Sequence, residues 1–425
     1  MKKRLSISLI VVLIVIMIIP IIATGCTKRE NTLKIYNCFD YIDEEVLNDF
    51  KLYYKQVTGE NLKIVYDAYE TNESMHSKIA LKKSDYDVVV ASEYMIERMI
   101  RENLLIALDK ELGNDINGQP IETYYNNISP FFLSGSEKFS YDEGNKFSVP
   151  YMWGTMGILY AKDKVSLNYL EQNGWDALWD TNYAKKIAMK LSVRDTFAIG
   201  AIKTYKQEIL SGQMTPEEAL NKIDDVSKIK EALINQKRTV ECGYETDQGK
   251  SDIINGKYDM ILQWSGDAVY AMGDLQDELN VKRELDYFVP NEGSNIWVDS
   301  WAIPKYAQNK KAANLFINFL CREDIAIKNM DYIGYTSAVA TAETLKYATG
   351  YWDENDNYVP YTPEDYDYSD LSYFFTGDLA NTASKIITFP VMFPSKDVVD
   401  RCGVMKDFGN KTNIIDELWS AIISA

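Results

Sequence analysis

The chain has 425 residues, 46 % apolar and 12 % aromatic, which is enough to bury a large core divided between two lobes and unlike a disordered or fibrous composition. Lysine and arginine total 45 against 63 aspartates and glutamates, a net charge of −18. So acidic a surface repels phosphate backbones and anionic lipid, which argues against nucleic acid as a partner and favours cationic ligands, beside the plain role of acidity in solubility.

At the start, Lys2, Lys3 and Arg4 lead into an apolar run from Leu9 to Ile22, then Ala23-Thr24-Gly25-Cys26. A basic head, an apolar middle and small residues before a cut form the pattern of a bacterial secretory signal. Small residues directly before a cysteine resemble the lipobox of bacterial lipoproteins, in which cleavage precedes the cysteine and its thiol carries diacylglycerol. That resemblance implies a signal peptide over 1–25 and lipid attachment at Cys26. Ala23 stands where the lipobox usually has leucine, and an uncleaved membrane anchor is the alternative. Either way the remainder is expected at the extracytoplasmic face of the bacterial cell membrane or in the periplasmic space. Cys38, Cys242, Cys321 and Cys402 are widely separated with no C-x-x-C pair. They read as small buried apolar residues rather than a disulfide framework, although a pair could oxidise outside the cytoplasm.

From Thr32 onward strand-like and helical runs alternate. Leu33 to Tyr36 has period two; Ile42, Val46, Leu47, Phe50 and Tyr54 have helical spacing. Leu62 to Val65 and Val88 to Val90 follow as strands, Ser74 to Leu81 and Tyr94 to Arg101 as helices. This interleaving predicts an α/β sheet that is largely parallel. A second block follows Pro150, with strands at Gly157 to Tyr160, Ile187 to Leu191 and Met260 to Leu262. Thr215-Pro216-Glu217-Glu218 reads as a helix start, with threonine capping and acids at the positive dipole end. Strand character resumes at Trp297 to Pro304, and Lys311 to Cys321 is an amphipathic helix. The chain therefore reads as two α/β lobes with crossings near 150 and 297. Residues 348–373, rich in tyrosine and aspartate with two prolines, read as an irregular surface insertion.

In parallel α/β sheets ligands bind beyond the carboxyl ends of strands, where loops converge and helix N-termini point at the crevice. The expected strand ends carry Asn37-Cys38-Phe39-Asp40-Tyr41, Ser92-Glu93-Tyr94, Arg194-Asp195 and Gln263-Trp264-Ser265, and the crossing strand carries Trp297 and Asp299. Aromatic rings and carboxylates recur at these places. Together they suit an organic cation: a carboxylate gives an ammonium a charge-assisted hydrogen bond, and an aromatic face adds about 0.5–2 kcal/mol of cation–π attraction. Most of the 30 tyrosines and eight tryptophans nonetheless belong to core or surface.

Tyr36 to Tyr41, Tyr69 to Met75, Tyr86 to Tyr94, Val149 to Thr155, Trp297 to Pro304 and Met330 to Thr336 resemble, in order, segments of the spermidine/putrescine-binding proteins of bacterial ABC importers. The likeness runs from about 33 to 340, weakens through the insertion and returns near 404 to 419. It implies an α/β, two-lobed periplasmic-binding-protein-like fold of type II, with mixed sheets flanked by helices and hinge strands between lobes. One lobe would comprise 26–148 plus 299–345, the other 149–298 plus 346–425. It also implies a receptor that closes over a polyamine, putrescine or spermidine, and delivers it to an ABC permease, without a cofactor or metal. Matched by position, Asp40, Asp195 and Asp299 fall on ligand-binding acids, Tyr41 and Tyr94 on ring contacts, and Trp264 and Trp297 on stacking tryptophans. Cys38 replaces a tryptophan, Leu191 and Ser192 an acidic pair, and Met405 a glutamine. With acid lost at 191 and 192, Ser192 remains at the expected site, and a ligand shorter than spermidine, or outside the polyamines, becomes reasonable. A receptor of the same fold for a sugar or amino-acid derivative is the alternative.

An enzyme is the rival class. His76 is the one histidine, so a Ser-His-Asp or Cys-His triad could be built on it alone, and no signature surrounds it. Paired carboxylates could serve a glycosidase, though sequence does not measure their separation. Gly249-Lys250-Ser251 resembles the end of a phosphate-binding loop, but Tyr244 stands where the earlier glycine is required. Asp353, Asn355, Asn357 and Glu364 have calcium-loop spacing, but Tyr358 replaces the glycine of the sharp turn and Pro360 and Pro363 interrupt the following helix.

Overall fold

The computed structural model describes residues 31–425 apart from 82, 83, 137, 354 and 356. The expected signal peptide and Cys26 lie outside the described residues. Eleven strands form one sheet. They are β1 (Thr32–Cys38), β2 (Lys63–Tyr69), β3 (Val88–Ser92), β4 (Leu105–Ile106), β5 (Ser148–Ala161), β6 (Ile187–Lys190), β7 (Gly243–Glu245), β8 (Met260–Trp264), β9 (Leu285–Phe288), β10 (Ile296–Pro304) and β11 (Thr336–Ser337). Their order is β2-β1-β3-β10-β5-β8-β6-β7, with β9 and β11 also on β5 and β4 on β10.

The sheet is parallel within β2-β1-β3 and within β8-β6-β7. Wherever β5 or β10 takes part it is antiparallel. The expected parallel character thus holds in the two wings and fails at the centre. Parallel neighbours need a long crossover, usually a helix, to return the chain to the same end, and β5 and β10 run between the wings instead. β5 is the joint. Its first half, Ser148 to Thr155, pairs with β10, and its second half, Met156 to Tyr160, pairs with β8. All 14 residues of β5 are buried. Residues 150 and 297 fall in these two central strands.

Helices cover both wings because each keeps an apolar stripe. Glu44–Thr58 starts where the Asp43 carboxylate accepts the Glu45 N–H, ends at Gly59 with φ 77°, and buries Val46, Leu47, Phe50 and Tyr54. Lys310–Leu320 packs against it, with the Phe50 and Phe316 rings 5.0 Å apart. Full burial of such side chains is worth about 1.5–3 kcal/mol each. Pro216–Leu220 carries the expected cap, closed by reciprocal hydrogen bonds between Thr215 and Glu218. Cys242, Cys321 and Cys402 are buried thiols.

Residues 348–373 are more ordered than expected. Gly350–Trp352 pairs with Tyr358–Pro360, and Tyr368–Ser369 pairs with Ile386–Ile387. The aromatic residues that blur the periodicity are the ones that join these ribbons, as where the Trp352 and Tyr358 rings meet at 5.4 Å. Among the described residues no helix is long and apolar enough to cross a membrane.

Candidate functional site

A cavity of about 810 Å³ opens where β1, β3, β6 and β8 end, beside the middle of β10. Asp40, Tyr41, Tyr94, Ser192, Asp195, Trp264, Trp297 and Asp299 all line it. Strand ends remote in sequence converge here because both wings aim their carboxyl edges at the same gap. Cys38 and Met405, where the chain departs from the family pattern, line it too, while Leu191 is 45 % exposed and outside the wall.

Asp299 sits in mid-strand on β10, where its carboxylate accepts hydrogen bonds from the Tyr41 hydroxyl at 2.7 Å and the Ser92 hydroxyl at 2.6 Å. It has no ion pair among the described residues. Burial pushes its pKa up to about 6, the two hydroxyls work against that, and Asp195 adds to it. Tyr41 is aimed by a tight turn: Asp40 holds φ 47°, and the Tyr41 carbonyl accepts bonds from Asn37 and Tyr151. That left-handed conformation is uncommon outside glycine, and aspartate is among the residues that tolerate it. Asp40 itself is exposed at the mouth.

Asp195 lies in the first turn of helix Val193–Thr204. Burial raises its pKa, while Ser192, Lys190 and Trp264 lower it. Ser192 occupies the N-cap position without capping the helix. Tyr94 donates to Glu73 at 3.1 Å, and the Arg194 guanidinium covers its ring at 4.3 Å. Arg194 also stacks on Phe408 at 4.0 Å and donates to the Lys406 carbonyl.

Trp297 packs edge-on to Tyr335 at 5.4 Å, and Tyr335 packs edge-on to Tyr41 at the same distance. Two glycines permit this ring cluster. A Cβ on Gly154 would stand 2.9 Å from Trp297, and one on Gly266 would stand 2.2 Å from the Tyr335 ring.

Sequence reasoning missed Lys190, Lys250 and Asp267 as residues of the site. Asp267, buried at the start of helix Ser265–Met272, accepts the Tyr335 hydroxyl at 2.9 Å and lies 3.4 Å from both Lys190 Nζ and Lys250 Nζ. Burial opposes its ionisation, but the two lysines prevail and hold its carboxyl below the usual range. Burial conversely lowers the Lys190 pKa. The Lys190 ammonium sits 3.7 Å from the Trp264 ring centroid. One face of Trp264, expected to be free for ligand, is thus already covered by the protein. Lys250 was visible only as part of a failed phosphate-loop pattern, and Gly249-Lys250-Ser251 lies inside the helix Gln248–Ile254.

The other singled-out motifs have local explanations. His76 is buried and bonded to Glu102 at 2.6 Å, outside the cavity. The Asp353 carboxylate closes its own turn by accepting the N–H groups of Asn355 and Asn357.

The family model described as bacterial extracellular solute-binding protein matches residues 50–357. The chain is 28 % identical over 317 residues to the spermidine/putrescine-binding periplasmic protein of Escherichia coli K12, a match covering 74 % of this chain and 80 % of that one. It is 29 % identical over 316 residues to the putrescine-binding periplasmic protein SpuD of Pseudomonas aeruginosa, with coverage of 74 % and 80 %. Among solved structures, a putative spermidine/putrescine ABC transporter protein from Listeria monocytogenes superimposes with a TM-score of 0.68 at 24 % identity, covering 93 % of this chain and 99 % of that one. The Tp0655 lipoprotein of Treponema pallidum does so with 0.64 at 19 %, covering 92 % and 99 %. These likenesses agree with a two-lobed binding-protein fold.

Proposed function

The chain belongs to the bacterial extracellular solute-binding proteins, and from that membership we propose that it is a non-catalytic receptor which binds a polyamine and delivers it to an ABC permease for import. The names of its relatives support the ligand class. The observation that carries the reading is Asp299, a half-buried carboxylate with two hydroxyl donors and no ion pair among the described residues, on the wall of a cavity shared with Asp195, Trp297 and Tyr94. Desolvation without a counter-charge disfavours its ionised form, and an incoming ammonium would relieve that penalty.

In this reading the lobes are 26–148 plus 299–345 and 149–298 plus 346–425, and they close by bending at β5 and β10. Acids on both lobes repel until a cation lies between them, so the ligand has the differential affinity for the closed state that closure requires. Asp40, Tyr41, Tyr94, Ser192, Asp195, Trp264, Trp297 and Asp299 form the binding set. Secretion through the 1–25 signal and lipidation at Cys26 would hold the receptor at the extracytoplasmic face beside its permease.

Arg194 and Lys250 on the same wall favour a second reading, a solute that carries a carboxylate as well as an ammonium. Calorimetry of the purified chain with putrescine, spermidine, spermine, arginine and maltose separates these. Micromolar binding of the polyamines alone is expected. Binding of arginine or maltose alone would overturn the reading. Loss of membrane-associated, lipid-labelled protein on Cys26→Ala would check the anchor.

A further inference from the structure

The acids of this cavity divide into those that already hold a cation and those that do not. Asp267 holds two, Lys190 and Lys250, each at 3.4 Å. The Lys190 side chain is 1 % exposed, and its ammonium is at once paired to that carboxylate and stacked on Trp264 at 3.7 Å. Carboxylate pairing and an aromatic face are the two interactions a ligand ammonium would seek. Asp299 and Asp195 differ: Asp195 is buried and Asp299 half-buried in the wall, and neither has an ion pair among the described residues.

We propose that the tethered ammonium of Lys190 fills one cationic position of the cleft, so that the site takes a ligand with two cationic centres, a short diamine, in preference to a triamine. The inference rests on the polyamine reading and specifies its charge number. Two carboxylates withdrawn from water, Asp195 and Asp299, without an ion pair among the described residues match two ammonium groups. A third would need Asp267 or Asp43, the other buried acids of the wall, which Lys190 and Lys250 or Lys328 already approach, and would meet their positive charge, since like charges within about 4–6 Å disfavour one another. Asp40 and Glu70 also belong to the wall but are exposed, where pairing with a cation is worth only about 0–1 kcal/mol. Glu73 stands at the start of a helix on the wall and is half-buried, with its carboxylate shared with the Tyr94 hydroxyl, so a cation gains less there than at Asp195.

The test is calorimetry on the full chain with putrescine, spermidine and mono-N-acetylspermidine, which keeps the length of the triamine and loses one charge. In the wild type we expect putrescine to bind about tenfold or more tighter than spermidine, and the acetylated compound to bind tighter than spermidine. In Lys190→Met the ratio of spermidine to putrescine Kd values should fall by about tenfold. Equal or tighter binding of spermidine by the wild type overturns the proposal whatever the variant does, as does an unchanged ratio in a cooperatively melting variant. Should Lys190→Met not fold, the wild-type series still decides. Failure of the polyamine reading looks different: no heat with any of the three compounds.

Discussion

The Tyr41 hydroxyl donates to the Asp299 carboxylate at 2.7 Å across 258 residues of sequence, tying the end of β1 to the middle of β10. Together with Ser92 it stabilises the ionised acid without neutralising it, which leaves one negative charge at the centre of the cavity for a ligand to meet.

Asp299→Asn should therefore weaken polyamine binding by more than about tenfold, because a neutral amide retains shape and loses the charge-assisted bond. Titration calorimetry at pH 7 checks this, and an unchanged Kd would remove Asp299 from the site.

The raised pKa of Asp299, about 6 against an ordinary 3.8, gives two linked pH effects. A cation prefers the ionised acid, so binding should tighten as pH rises through about 6, with proton release on binding near that pH. In the empty protein the sign is opposite. The folded state binds the proton more tightly than the unfolded state, so this group's stabilising contribution is present below about pH 4 and is lost as pH rises through 6. The loss is on the order of 3 kcal/mol. Melting curves of wild type and Asp299→Asn should converge at low pH and diverge above 6, the variant being the more stable.

Gly266→Ala should disturb the ring cluster, since the added Cβ would fall 2.2 Å from Tyr335. Overpacking of this kind costs about 1–3 kcal/mol. A lowered Tm with weaker ligand binding is expected, and near-ultraviolet circular dichroism should register the displaced tyrosine and tryptophan.

Tyr94→Leu should remove the ring that Arg194 covers at 4.3 Å and take the hydroxyl donor away from the Glu73 carboxylate. Tyr94 follows β3 in one wing and Arg194 follows β6 in the other, so the stack bridges the gap between them. A cation–π contact of this kind is worth about 0.5–2 kcal/mol, and the ligand should dissociate correspondingly faster in stopped-flow measurements.

Much of this site was legible from the sequence because its acids and rings follow recognisable strands, so that position alone brings Asp40, Tyr94, Asp195 and Trp264 to one edge. Trp297 and Asp299 were legible as a crossing strand. Lys190 was not, because a lysine closing the apolar run Ile187 to Met189 reads as an ordinary exposed strand end. Its partner Asp267 lies 77 residues away, and no periodicity reports a pairing at that range. Tyr335 depends on the missing Cβ of Gly266, a contact between elements that neither segment announces. The short strands β4, β9 and β11 escaped for a related reason: their extended form is imposed by β5 and β10, not by their own pattern.

Because β5 serves both wings without interruption, the two halves of the molecule are locked in phase. Side chains along a strand alternate faces, so a single residue inserted between Thr155 and Met156 would turn every side chain from Met156 to Ala161 to the opposite face while Ser148 to Thr155 kept theirs. Chimaeras that exchange one half for that of a relative must conserve the residue count through this strand, and permuted chains must take their new termini elsewhere.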